Sequence, residues 1–184
     1  SPIVHGFIRS HMGWFLTRKG FTPDLRRVRD LLQFPELRWL DRFDILVPVA
    51  LALGMFGLGA LLDRLDPDLG TSPWQMLIWG FFISTVACYH GTYTINSLSH
   101  VWGTKTYATT DDSRNNTFLA LITMGEGWHN NHHYYAASVR QGFRWWQIDV
   151  SYMILCVLEK LGIVWGLKRP SVEIVDGWLG GKNL

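Results

Sequence analysis

The sequence predicts an all-α integral membrane protein: one transmembrane helical hairpin, plus cytoplasmic and interfacial helices that carry a histidine cluster. Three observations predict it. Residues 45–62 run for 18 positions without a charge, which at 1.5 Å per residue spans roughly 27 Å, close to the ~30 Å hydrocarbon thickness of a bilayer. A second uncharged run starts at Trp74, directly after a helix-start signature. Apolar residues are 48% of the 184 positions and charged ones only 17%, with 10 Trp, 10 Phe and 6 Tyr, more aromatic surface than a small soluble domain needs.

Residues 1–43 read as an interfacial or cytosolic segment. Within it Asp24 to Asp30 and Glu36 to Arg42 intersperse both signs with Leu, Val and Phe. That pattern suits amphipathic helices lying on a membrane surface; the alternative is an ordinary solvated helical face. The first transmembrane helix is expected over 45–62, with Asp44 as its cap, Pro48 in its tolerant first turn, and Gly54, Gly57 and Gly59 as a smooth packing face. A short loop with three Asp against one Arg leads to Ser72-Pro73-Trp74-Gln75, a capping box with proline at the first helical position, which opens a second transmembrane helix over 74–90. Lys plus Arg number 8 in residues 1–44, 1 in the connecting loop and 8 after residue 90, so the positive-inside rule puts both long ends, including 91–184, in the cytoplasm.

The second helix should run past the bilayer edge to His100, which places Asn96 and His100 on one face at spacing i, i+4. Gly103 to Asp112 is rich in turn residues. Its acidic pair and Ser113 are expected to cap a helix through Phe118, Leu119, Leu121, Ile122 and Met124, which Gly125 and Gly127 then break, allowing close backbone approach. The uncharged core from Val150 to Leu158 is nine residues, too short to span a bilayer, and reads as a helix lying on the interface, anchored by Trp145, Trp146 and Trp165. The tail from Lys168 reads as weakly structured, and no internal repeat is present.

A net charge of only +2, without a long basic block, argues against a nucleic-acid partner. Cys88 and Cys156 sit inside apolar runs, which fits a reducing, cytoplasm-facing setting better than a disulfide. There is no signal peptide, and a start at Ser1 reads as a fragment or a processed chain. The chemistry concentrates in Gly125-Glu126-Gly127-Trp128-His129-Asn130-Asn131-His132-His133, where H-x-x-H-H puts three of the seven histidines on one side of a helix. Neutral imidazole suits iron, zinc, copper and nickel. The alternatives are an exposed polar turn, or a structural zinc site made by His100 and these three histidines in a non-catalytic membrane protein; four histidines without cysteine are unusual for the latter.

These motifs carry a resemblance. Asn96-Ser97-x-x-His100-x-x-Gly103, the stretch from Gly125 to His133, and Gly6-Phe7, Ser10-His11-x-Gly13-Trp14 and Arg18-Lys19 make the whole chain similar to the C-terminal portion of membrane fatty acid desaturases of the acyl-CoA (stearoyl-CoA) type. The resemblance implies that residues 1–184 are the C-terminal part of a desaturase domain. It implies a non-haem centre of two iron ions, with His100, His129, His132 and His133 as ligands and Asn96 approaching through a water. Molecular oxygen and two electrons, brought by a small electron-carrier protein and its reductase, would introduce a cis double bond into a fatty acyl-CoA or acyl-lipid at the bilayer. Thr92 matches a tunnel-lining position, and Arg18 and Lys19 match contacts to CoA phosphates. Glu126 and Asp149 are candidate acceptors that orient the imidazoles. His5, His11 and His90 match no ligand position and read as structural. The family's two other histidine boxes, H-x-x-x-x-H and H-x-x-H-H, correspond to sequence ahead of Ser1, so these 184 residues alone are expected to be an inactive fragment. A related membrane hydroxylase would share the same oxidant.

Overall fold

The computed structural model describes residues 2–17 and 25–177. Among them every regular element is helical and no strand is present, although isolated bridges join Thr104 to Asn115 and Asn115 to Trp128. The chain divides into two compact units, residues 17–89 and residues 1–16 with 90–184.

In the first unit Asp24 lies outside the described residues, and the rest of the amphipathic helix expected over 24–30 is not α-helical: Leu25–Val28 and Leu31–Gln33 are single 3-10 turns. Proline explains the break. Phe34, held extended (φ −93, ψ 111) ahead of Pro35, cannot continue a helix, and α1 (Pro35–Arg42) starts afresh with Pro in its first turn and Glu36 beside it. Helix α2 follows over Leu46–Leu65. The expected Asp44 cap is absent: Ile45 holds the N-cap position in helical backbone with no side-chain bond, and Leu46 N–H bonds the Phe43 carbonyl at 2.9 Å. A capping side chain needs an extended N-cap, which this tight turn denies. At the other end α2 continues three residues past Leu62, through Asp63 and Arg64, until Asp66 turns the chain by accepting from the Asp68 N–H. Among the described residues α2 is the one helix long and apolar enough to cross a membrane, with a mean hydropathy of 1.9.

The capping box forms as expected. Ser72 Oγ accepts from Gln75 N–H at 3.1 Å, Gln75 Oε1 accepts from Ser72 N–H at 3.4 Å, and Pro73 opens α3 (Pro73–Leu77). The second apolar run is not one regular α-helix, however. A π-helical turn, Ile78–Ile83, separates α3 from α4 (Ser84–Ser97). Of the three α2 glycines only Gly59 packs as expected: a Cβ there would lie 2.7 Å from Ser72 O and Pro73 Cα, whereas Gly54 and Gly57 face open space.

In the second unit α4 ends in a 3-10 turn, Leu98–His100, and four short helices follow: α5 (Thr117–Ile122), α6 (His129–Tyr134), α7 (Val150–Lys160) and α8 (Val172–Asp176). The acidic pair and Ser113 do not cap α5. Asp111 Oδ1 instead accepts from Ser113 N–H in a local turn, and Asn116 is the cap, its Oδ1 accepting from Leu119 N–H at 3.0 Å. The tail is better structured than expected over residues 168–177, because Tyr107 Oη and the Arg144 guanidinium both donate to the Val175 carbonyl of α8; residues 178–184 lie outside the described residues. The core is mixed: Tyr107, Leu119, Ala120, Trp128 and Phe143 are buried together with Ser97, Ser113, Asn115, Asn130 and Asn131.

Gly59→Ala should therefore destabilise the chain by about 1–3 kcal/mol through overpacking. Gly57→Ala, on the same helix with open space around it, should be neutral or stabilising by up to about 1 kcal/mol. Thermal unfolding of the two variants checks the contrast.

Candidate metal centre

The centre is presented by α6, and asparagine chemistry holds α6 in place. A six-residue helix has little stability of its own, and its first N–H groups have no partner within the helix. The residue before it, Trp128, offers no side-chain cap. Asn115, on a distant loop, supplies one: its Oδ1 accepts from Asn130 N–H at 3.0 Å and from Asn131 N–H at 3.2 Å. Its Nδ2 donates to Asn131 Oδ1 at 2.6 Å and to Thr106 Oγ1. Asn130 Oδ1 in turn accepts from the N–H groups of Thr106 and Tyr107, and Asn131 Nδ2 donates to Gln141 O and Gln147 Oε1. Within H-N-N-H-H the two asparagines thus bind the surrounding loops, while the histidines gather elsewhere. Glycine makes the approach possible, as expected: a Cβ on Gly127 would sit 2.1 Å from Ala120 N of α5, and Gly125 (φ 124) leaves no room for one beside Asp149.

His100, from the turn after α4, meets His129 with the two Nε2 atoms 3.0 Å apart. His133 joins them, its ring centroid 4.3 Å from that of His129 and 5.3 Å from that of His100. One nitrogen from each of these three side chains lies within 4.8 Å of the others, the spacing that can hold a metal ion. His132 lies outside this trio, its ring 6.1 Å from His129 and 5.7 Å from His133.

The electrostatics favour neutral imidazoles. Burial, reinforced by the neighbouring imidazoles His133, His100 and His132, pushes His129 down to about 3. Burial and then His133 lower His100 and His132 as well. A neutral ring keeps a lone pair for a metal, whereas a protonated one has none. Nδ1 of His100, His129 and His132 are all buried without a hydrogen-bond partner. An unmet buried polar atom costs about 1–3 kcal/mol; because His100 and His129 face each other through Nε2, a metal held there would still leave their Nδ1–H groups to be met by an acceptor.

The carboxylate that orients a ring is one the sequence reading missed. Asp111 bonds His133 Nδ1 directly. Burial alone raises the Asp111 carboxyl, but hydrogen bonds from Ser113 and the pairing with His133 outweigh it and hold the group well below the usual carboxylate range. Asp149 does not serve as expected. Its carboxylate caps α7 through Tyr152 N–H and accepts from the N–H groups of Gln141 and Gly142. Glu126 is exposed and raises His132 only through space, leaving His132 Nδ1 unbonded.

Asn96 shares a cavity of about 420 Å³ with His100, His5, Arg9, Ser10 and Trp14. Thr92 is exposed one turn earlier on α4. Arg18 and Lys19 lie outside the described residues. His11 and His90 form a chain whose direction follows from Ser97: Ser97 Oγ donates to the Tyr93 carbonyl at 2.8 Å, so it accepts from His11 Nδ1–H at 2.9 Å. His11 Nε2 is then the acceptor for His90 Nδ1–H at 3.0 Å.

Asn115→Leu removes the acceptor for two buried N–H groups, at a cost of about 1–3 kcal/mol. Amide exchange at Asn130 and Asn131 should accelerate before global unfolding does. The histidines add a pH dependence. Because the folded His129 titrates at about 3 against 6.5 when unperturbed, the unfolded chain binds more protons between those values. Metal-free stability should be full above pH 6.5 and fall as the pH drops toward 3. Urea midpoints should follow that slope, and His129→Gln should make it shallower.

Comparison with known proteins gives the family. The chain is 35% identical over 174 residues to a chloroplastic palmitoyl-monogalactosyldiacylglycerol delta-7 desaturase of Arabidopsis thaliana, covering 93% of this chain and 43% of that protein. It is 34% identical over 164 residues to an sn-1 stearoyl-lipid 9-desaturase of Anabaena variabilis, covering 89% of this chain and 56% of the relative. It is also 34% identical over 189 residues to an acyl-CoA C20 Delta5-desaturase of Anemone leveillei, covering 100% of this chain and 55% of that protein. The chain thus spans about half the length of the curated relatives it matches. The family model for fatty acid desaturase matches residues 3–150, and the chain belongs to that family.

Proposed function

We propose that this chain carries the Asn96–His100 arm and the final histidine box of an enzyme that desaturates a fatty acyl chain with molecular oxygen at a centre of two iron ions. The observation that supports it most directly is the trio of His100, His129 and His133 with ligand nitrogens within 4.8 Å, in a chain of the desaturase family. In this reading His100, His129 and His133 hold iron, His132 offers its unpartnered nitrogen to the second ion, and Asn96 acts through a water. Bound iron would supply the reduction of oxygen to water that is coupled to removal of two hydrogens from the acyl chain, using two electrons and two protons from a carrier protein and solvent.

The residues of this chain do the positioning. Asp111 holds His133 in the tautomer whose Nε2 is left for a metal, and the buried setting of His129 and His100 keeps their rings neutral at physiological pH. Donors of imidazole type leave the metals more electrophilic than carboxylates would. The acyl substrate, as a CoA ester or a membrane lipid, would pass Thr92, with Arg18 and Lys19 near its headgroup. Helix α2 and the run beginning at Trp74 would cross the bilayer as a hairpin with the histidines on the cytoplasmic face.

The test uses the complete native protein, purified and assayed with a reductase system and a saturated acyl substrate. His129→Gln and His100→Gln should lose most of the bound iron and all product formation. Asp111→Asn should retain partial metal and lose activity by about 10–100-fold, as outer-shell changes do. Product two mass units lighter than substrate supports desaturation; product one oxygen heavier points to a hydroxylase, and stoichiometric zinc without redox activity overturns the proposal.

A further inference from the structure

We propose that α7 lies along a lipid bilayer surface, with one face in the boundary between headgroups and acyl chains. The helix is 11 residues long, about 16 Å, which is too short to span and suited to lying flat. At 100° per residue Met153, Ile154, Val157 and Leu161 fall within an arc of about 100°. All four are exposed, Met153 at 59%, Val157 at 56% and Leu161 at 67%.

The opposite face is tied to the protein. Arg169 donates to both Tyr152 Oη and Glu159 Oε2, and the Arg140 guanidinium sits 5.4 Å from the Tyr152 ring centroid. These bonds fix the rotation of α7, so the apolar face cannot turn inward.

Two features select lipid as the occupant. Tryptophans flank the helix at both ends, Trp145 and Trp146 before it and Trp165 after it, with Trp145 at 86% and Trp165 at 84% exposure. Indole favours the headgroup level of a membrane, where its ring is apolar and its N–H is wet. Residues 140–169 hold five Lys and Arg against Asp149 and Glu159; Arg169 pairs with Glu159 and Arg144 faces Asp176 at 3.9 Å, so Lys160 and Lys168 supply the positive charge that suits anionic headgroups. Both acids are engaged, Asp149 as the buried α7 cap and Glu159 with Arg169, while Lys160 and Lys168 are exposed. The inference does not rest on iron chemistry, and its failure would leave the histidine reading untouched.

Nitroxide labels at Val157→Cys and Met153→Cys, in a background where Cys88, Cys156 and any further cysteine of the complete protein are replaced by Ser, test it in that protein reconstituted into phosphatidylcholine and phosphatidylglycerol vesicles. Relaxation by oxygen should exceed relaxation by an aqueous nickel complex several-fold relative to a label at the exposed Glu173→Cys. Nickel-dominated relaxation would mean the face meets water, and suppression of both would mean that protein covers it; either overturns the proposal. If the cysteine-free background does not fold, a photocrosslinking benzoylphenylalanine at Val157 in the otherwise native chain decides the same point. Lipid adducts support the proposal, and protein adducts alone overturn it.

Discussion

The interaction on which the histidine-bearing unit depends is the pair of hydrogen bonds from Asn130 and Asn131 N–H to Asn115 Oδ1. A helix of six residues cannot persist by propensity, and an N-terminus without a local cap is the point from which it frays. One side-chain oxygen from 15 residues upstream meets two of those orphan donors at once, and the same residue's Nδ2 locks Asn131. The positions of His129 and His133 follow from this. Their ring placement is as reliable as the asparagine scaffold beneath them, and each buried bond in that scaffold is strengthened by the low local polarity around Tyr107, Leu119 and Phe143.

Burial also sets the chemistry of the rings. Burial first and the neighbouring His133 second lower both His100 and His129, and with their Nε2 atoms 3.0 Å apart two positive charges would repel strongly. Neutral rings keep the lone pairs that a cation would need. Asp111 works at the exposed edge of the group, where His133 meets solvent and needs a partner to hold its orientation. An acid held ionised there by Ser113 brings negative charge close to the trio without entering it.

The two units are stabilised by different means. Residues 17–89 place a 20-residue apolar helix with most side chains facing outward, where local capping and the close contact at Gly59 are the specific devices. Residues 90–177 bury polar groups and satisfy them over long sequence separations, which favours a unique arrangement over sheer apolar burial. One unit thus carries outward-facing apolar surface, and the other carries precisely placed polar side chains.

Local features were legible in the sequence. The grouping of His100 with the H-x-x-H-H histidines came from the family resemblance, whereas the all-helical class, the long apolar helix near 45–62, the Ser72 capping box and the glycine break after α5 all follow from period, charge and spacing within a few residues. The absent Asp44 cap, the π-helical interruption at 78–83, the replacement of Ser113 by Asn116 as a cap and the employment of Asp149 on α7 did not. In the sequence Asn130 and Asn131 read only as members of the histidine motif, Asn115 does not stand out, and Asp111 reads as a helix cap. Each acquired its part only when loops distant in sequence were brought to hydrogen-bonding distance, over 15 residues for Asn115 and 22 for Asp111. The sequence by itself determined which segments coil and which residue types can bind a metal, because those depend on neighbours along the chain. Tertiary structure alone decided which imidazoles meet, which carboxylate orients them and which amide caps their helix, because a side chain's partner is selected by geometry in space, and periodicity carries no record of it.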